Sequence, residues 1–246
     1  MNSKEQYQQD FLWATYFGVT REEVANNDEE RISRCIDRAY LDLNRTIKYR
    51  LSSSTLDEMK KAGKKSEAEA FEKDKMVFRE DARNYLTAKI KSLLEMQSVE
   101  EDWFDDKWHK PVCQRIAELA NTKRGLIKEG KNFTFGQAQK WVNMTLKNLL
   151  VMGIDKMNAT VPVMHVPLDS YIIEAAHVPL GEKIHEPFDV EGLGIPKLAE
   201  TWSGLDDSEK YIEYQKEIRK KLGENKYPIY WEGPAWIAQA KVKAEK

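Results

Sequence analysis

Residues 134–170 read TFGQAQKWVNMTLKNLLVMGIDKMNATVPVMHVPLDS, and they decide the fold class. Thr134 is a residue type that caps helices, because its side-chain oxygen accepts from a first-turn amide. A helix from there to about Gly153 places Ala138, Val142, Thr145 and Leu149 on one face. Prolines at 162 and 167 then fence Val163, Met164, His165 and Val166. The residue before a proline is pushed out of the helical region, which predicts an extended connector. Asp169 or Ser170 starts the next helix, through about Ala176.

The same alternation of capped helix and breaker runs outward in both directions. Upstream, Asn27 or Asp28 caps a predicted helix to about Leu51, with Ile32, Ile36, Ala39, Leu43 and Ile47 at helical spacing. The serines at 52–54 break it, and the charged stretch Lys60 to Lys65, with Gly63, reads as a mobile hinge. Ser66 opens the longest helix, to about Gln97, its buried stripe marked by Phe78, Ala82, Leu86, Ile90 and Leu93. Shorter helices are predicted over Lys4 to Phe17 and Pro111 to Asn121. Downstream, Val178 to Pro196 is rich in Gly and Pro and reads as a long loop. One closing helix starts at Asp206 or Ser208 and carries Tyr211, Gln215, Ile218 and Leu222; another starts near Pro228. No internal repeat, β-hairpin or βαβ pattern is present, so the expected fold is all-α.

A chain of 246 residues can close a core without staples, and its two cysteines are too few for a disulfide framework. That usage fits a reducing cytoplasm. The first residues lack an apolar run of signal-peptide type, and no stretch nears the ~20 apolar residues of a membrane helix. Charged residues form 33% of the chain and the mean hydropathy is −0.68, as expected of a soluble protein with no membrane partner. His109, His165, His177 and His185 show no helical pairing with a carboxylate, so neither metal nor cofactor is expected.

Net charge is only −2, but it is unevenly distributed. Nine Lys or Arg between Lys107 and Lys147 face only Glu118 and Glu129, whereas Val151 to Ser208 holds three Lys against ten acids. Two readings of Lys123, Arg124, Lys128 and Lys131 stand open: a solvated helix face, or a local contact with phosphates.

Gly136-Gln137-Ala138-Gln139-Lys140, then Asn143 and Lys147, then Val161-Pro162 through Val166-Pro167-Leu168-Asp169-Ser170, follow one another in an order that resembles archaeal 8-oxoguanine DNA glycosylases. These belong to the helix-hairpin-helix glycosylase superfamily, whose relatives include enzymes acting on hypermodified phage DNA. Tyr211, Tyr214-Gln215, Ile218, Pro228 and the Trp231 to Trp236 region are similar to that family's closing helices. The resemblance covers roughly residues 130–240; only Gly136 stands before Lys140, where the larger superfamily carries a compact Gly-x-Gly. It implies a glycosylase-like region with a helix-hairpin-helix element over 126–246, which with 1–125, a helical region outside the resemblance, is expected to form one two-part unit with a base-binding cleft between helical bundles. It further implies double-stranded DNA as partner, and excision of a damaged or hypermodified base in repair or anti-phage defence. The rival expectation is a catalytically silent DNA-binding or protein-interaction adaptor.

Cleaving an N-glycosidic bond builds positive charge on the sugar, which an ionised carboxylate stabilises. Asp169 fits that role, or caps a helix and does nothing more. A strand-cleaving glycosylase also needs a lysine amine to form a Schiff base. Lys140 is the candidate and Lys147 the second; both fall on a polar helix face, which equally suits solvated or phosphate-binding lysines. Gln139, Trp141, Asn143, His165, Trp202 and Trp231 are candidate walls for a flipped base, with core packing the plainer reading of each tryptophan. Backbone amides at Gly136 and Gln137 could hold a phosphate.

Overall fold

The computed structural model describes residues 3–224 and 226–245, and among them the secondary structure is helical, with isolated β-bridges and no strands. In chain order the helices are α1 (Ser3–Phe17), α2 (Arg21–Val24), α3 (Asp28–Asn44), α4 (Ser53–Lys61), α5 (Lys65–Leu94), α6 (Glu101–Trp103), α7 (Lys110–Asn121), α8 (Phe135–Val151), α9 (Ser170–His177), α10 (Ser208–Leu222) and α11 (Pro228–Ala244). A π-helical stretch, Phe104–His109, joins α6 to α7 and turns Phe104, Asp105, Trp108 and His109 all inward. Among the described residues no helix is long and apolar enough to cross a membrane.

The expected caps are in place. Thr134 and Gln137 form a reciprocal capping box at the start of α8, and Asp169 caps α9 through two backbone amides. Two upstream expectations need correcting. The helix from Asp28 stops at Asn44, not Leu51, because the following segment pairs elsewhere: Arg50 N–H donates to Leu126 O at 2.9 Å and Lys128 N–H to Lys48 O at 2.9 Å. Nor are the serines only a break, and the stretch from Lys60 does not lie wholly outside helices. Ser52 caps α4, which buries Leu56, and Gly63, at φ +78°, supplies the left-handed turn into α5.

One hydrophobic cluster runs from Phe17 to Ala238 and joins both halves of the chain. At its centre lies α8, packed against α3 and α7. Trp141 is fully buried in this core against Tyr40 and Phe78, and its indole N–H donates to Ile36 O at 3.0 Å. Because neighbours enclose α8 on nearly every side, Lys140 is only 6% exposed, and the lysine face borders a cleft where Lys147 keeps 26% of its side-chain exposure. Helix α11 packs on α9 and completes the far wall of the cleft described next.

Candidate active site

The segment before α9 is extended and buried, so its peptide groups need partners. Two glutamine side chains supply them as strand neighbours would. Gln215 accepts from Val166 N–H at 3.1 Å and donates to Val166 O at 2.9 Å; Gln139 accepts from Leu168 N–H at 3.3 Å and donates to Leu168 O at 3.0 Å. The segment is thereby fixed in register and ends at Asp169.

Behind it lies a closed polar network. Asn143 bonds His109 at 2.8 Å and donates to Gln139 Oε1 at 2.9 Å and the Tyr211 hydroxyl at 2.7 Å. His165 joins Tyr211 at 3.0 Å to Asp105 at 2.7 Å, and Arg219 closes the chain on Asp105 at 2.6 Å. Burial above all, with the Arg219 charge adding to it, holds His109 and His165 well below the ordinary histidine range. Gln139, Asn143 and His165, expected as base-pocket walls, therefore lie within this network and do not line the cleft. Gln139→Ala would strand both peptide groups of Leu168, so a loss of about 2–4 kcal/mol in folding stability is expected. Denaturant unfolding checks this; a substrate wall would instead leave the midpoint unchanged.

In front of the segment is a cleft of about 460 Å³. Lys140 Nζ lies 2.8 Å from Asp169 Oδ2, with side-chain exposures of 7% and 14%. The same oxygen accepts from the Trp236 indole N–H at 3.2 Å, while Oδ1 accepts from Tyr171 N–H at 2.9 Å and Ile172 N–H at 3.0 Å. Burial works to raise the Asp169 pKa, but the Lys140 charge and these hydrogen bonds outweigh it and hold the carboxyl below its ordinary range. A second pair lies alongside: Lys147 Nζ sits 2.8 Å from Oε1 and 2.6 Å from Oε2 of Glu232, which is 1% exposed. The two lysines, seven residues apart on α8, thus meet carboxylates from α9 and α11.

Trp202 stands on the cleft wall, as do Tyr16, Arg38, Leu41, Asp42 and Arg45 from the first part of the chain. Trp231 does not; it lines a separate cavity, and its indole donates to Glu191 O at 3.0 Å. The start of α8 is also closed to a phosphate. Phe135 N–H donates to Asp206 Oδ1 at 3.0 Å, Gly136 N–H to Leu205 O at 2.7 Å, and Gln137 N–H to Thr134 Oγ1 at 3.1 Å. Gly136 is required by packing here, since a Cβ would sit 1.8 Å from Trp202 O.

Of the basic residues, Lys123 pairs with Asp74 at 3.8 Å, whereas Arg124, Lys128 and Lys131 are exposed and make no ion pair among the described residues. Their turn, 122–134, packs on residues 48–50, and that segment begins at Arg45 on the cleft. The residues that sequence reasoning missed are Arg38, Asp42, Arg45, Glu232 and Trp236. The last two had a signal, lying four apart and so on one face of α11; the α3 residues had none, since their placement depends on docking across the core. No set of three metal-ligating side chains is gathered among the described residues. No family model matches the chain, and no curated protein or solved structure does.

Proposed function

We propose that the chain is a DNA glycosylase that draws a damaged or hypermodified base into the cleft and cuts its bond to the sugar. The observation that carries this is the meeting of Lys140 and Asp169, 29 residues apart in sequence, at 2.8 Å inside one cleft. An ionised carboxylate held by two backbone amides is a fixed negative charge for a cationic sugar. The lysine on its free side supplies an amine for Schiff-base formation, provided its proton passes on, and Asp169 Oδ2 is an acceptor in place. If water attacks instead, the same carboxylate takes its proton. The buried amide and histidine network behind the segment supports this reading, because a reacting group must be held rigidly. In the same reading α7, the turn 122–134 and α8 form the helix-hairpin-helix element, and the exposed cations on the turn hold the duplex.

Release of an abasic site from a duplex carrying one modified base tests the activity. The DNA part is tested separately. Changing Lys123, Arg124, Lys128 and Lys131 to Gln should weaken binding to modified and unmodified duplexes alike. Each lost phosphate contact flattens the log–log salt dependence by ~0.9, and most of the change should come from the three cations without an ion pair. Base preference should survive, since phosphate contacts position a duplex without reading it. Unchanged affinity and slope would remove these residues from the interface.

A further inference from the structure

We propose that Asp42 is the general acid that protonates the base as it leaves, a role that rests on the glycosylase reading of the cleft. Asp42 lies on α3 and faces the same cleft as Asp169 of α9. Its surroundings are opposite in kind. Asp169 has four donors on its two oxygens, whereas Asp42 makes no side-chain hydrogen bond among the described residues, and its Oδ2 is buried with no partner. The nearest guanidinium nitrogen, Arg38 Nη2, stands 3.7 Å from Oδ1, beyond a hydrogen bond. The Arg38 guanidinium lies instead over the Tyr16 ring, 4.1 Å from its centre, and its Nε is likewise buried without a partner.

An ionised carboxylate with one oxygen buried and undonated loses its hydration without replacement. The neutral acid suffers less. Since the side chain keeps 25% of its exposure, it can offer its proton to the cleft through Oδ1. Arg38 and Arg45 on the α3 side and Lys140 and Lys147 from α8 all act against this, yet burial dominates and raises the Asp42 pKa. Of the three carboxyls in the cleft, Asp169 is held low, and burial raises both Asp42 and Glu232. Glu232 is engaged by Lys147 at 2.6 Å, which leaves Asp42 as the raised carboxyl without a hydrogen-bonded cation, the separation that acid–base catalysis needs.

When the C1′–N bond breaks, its electron pair stays on the base nitrogen, and the Asp42 proton moves to the base. Asp42 is left as a carboxylate, now facing the charges of Arg38, Arg45 and Lys147. The sugar cation is captured by water or by the Lys140 amine, whose proton goes to Asp169. Solvent then reprotonates Asp42.

Single-turnover excision across pH, in parent and Asp42→Asn, tests this. The parent rate should fall as pH rises through the Asp42 transition. The variant should lose that alkaline limb and be at least ~100-fold slower on a neutral base. A base that already carries positive charge needs no acid, and its release should be nearly unaffected by the change. An active parent whose variant keeps both rate and alkaline limb overturns the role of Asp42 alone; a parent that excises nothing overturns the glycosylase reading and this one with it. Titration of the ¹³C-labelled Asp42 carboxyl in the parent needs neither activity nor a folded variant. A midpoint above the ordinary aspartate value of ~3.9 supports the assignment, and one at or below it overturns it.

Discussion

Asp169→Asn is expected to fold and to lose base excision by ~10²–10⁴-fold, the usual contribution of a positioned charge or proton acceptor. Asn is nearly isosteric with Asp and also caps helices, so its side-chain oxygen can still accept from Tyr171 and Ile172. What disappears is the negative charge 2.8 Å from Lys140. The substitution should therefore act on the chemical step, seen in single-turnover rate, more than on duplex affinity. It should also change how stability responds to acid. Because the folded state holds the Asp169 carboxyl below its ordinary range, the stability it contributes is present above the unfolded value of ~3.9 and is lost as pH falls through the folded value. Asn has no such limb, so parent and variant unfolding midpoints should converge in acid. Full excision by a folded Asp169→Asn protein would remove Asp169 from the chemistry.

Lys140→Gln is expected to erase borohydride trapping of the protein on DNA altogether, since no other amine is paired with Asp169 among the described residues. It also leaves a largely buried carboxylate without its counter-ion. Destabilisation of about 3 kcal/mol is expected, near the lower end for a broken buried pair, because two backbone amides and the Trp236 indole still donate to Asp169. With the ammonium gone, burial should lift the Asp169 carboxyl toward or above its unfolded value, so the variant should lose less stability in acid than the parent does. Trapping that persists in the variant would assign the Schiff base to another amine, with Lys147, 2.6 Å from Glu232, the first to test. A parent that excises but never traps would make water the attacking group and leave Lys140 to hold Asp169.

How far the sequence reached can be followed at particular residues. Caps are local chemistry, so Thr134, Asp169 and the start of α11 at Pro228 were legible from side-chain type and proline position. Helix α4 was hidden by its charge: one buried leucine in nine residues gives too little periodicity to outweigh a serine run and a glycine. The π-helical stretch leaves no mark on a period of 3.6 and was missed for that reason. The reading of α8 failed more instructively. Two lysines on one face imply a fully solvated surface only if nothing packs over it, and here α9 and α11 bring carboxylates onto both. Its amides were the available signal. Gln137, Gln139, Asn143 and Asn148 fall on several faces of a helix with no acidic residue, a pattern that suits buried backbone partners better than water. Asp42 and Arg38 look in sequence like any surface i,i+4 pair. Only the docking of α3 on α8 brings them to the cleft that Asp169 also lines.

The most direct test of the cleft as an excision site is single-turnover incubation of the parent with duplexes that each carry one damaged or hypermodified base, followed by detection of abasic sites. Abasic sites are expected at the modified position of at least one duplex, forming ~10²–10⁴-fold more slowly with Asp169→Asn on that same duplex. Intact duplexes across the whole panel, from a folded parent that binds them, would contradict it.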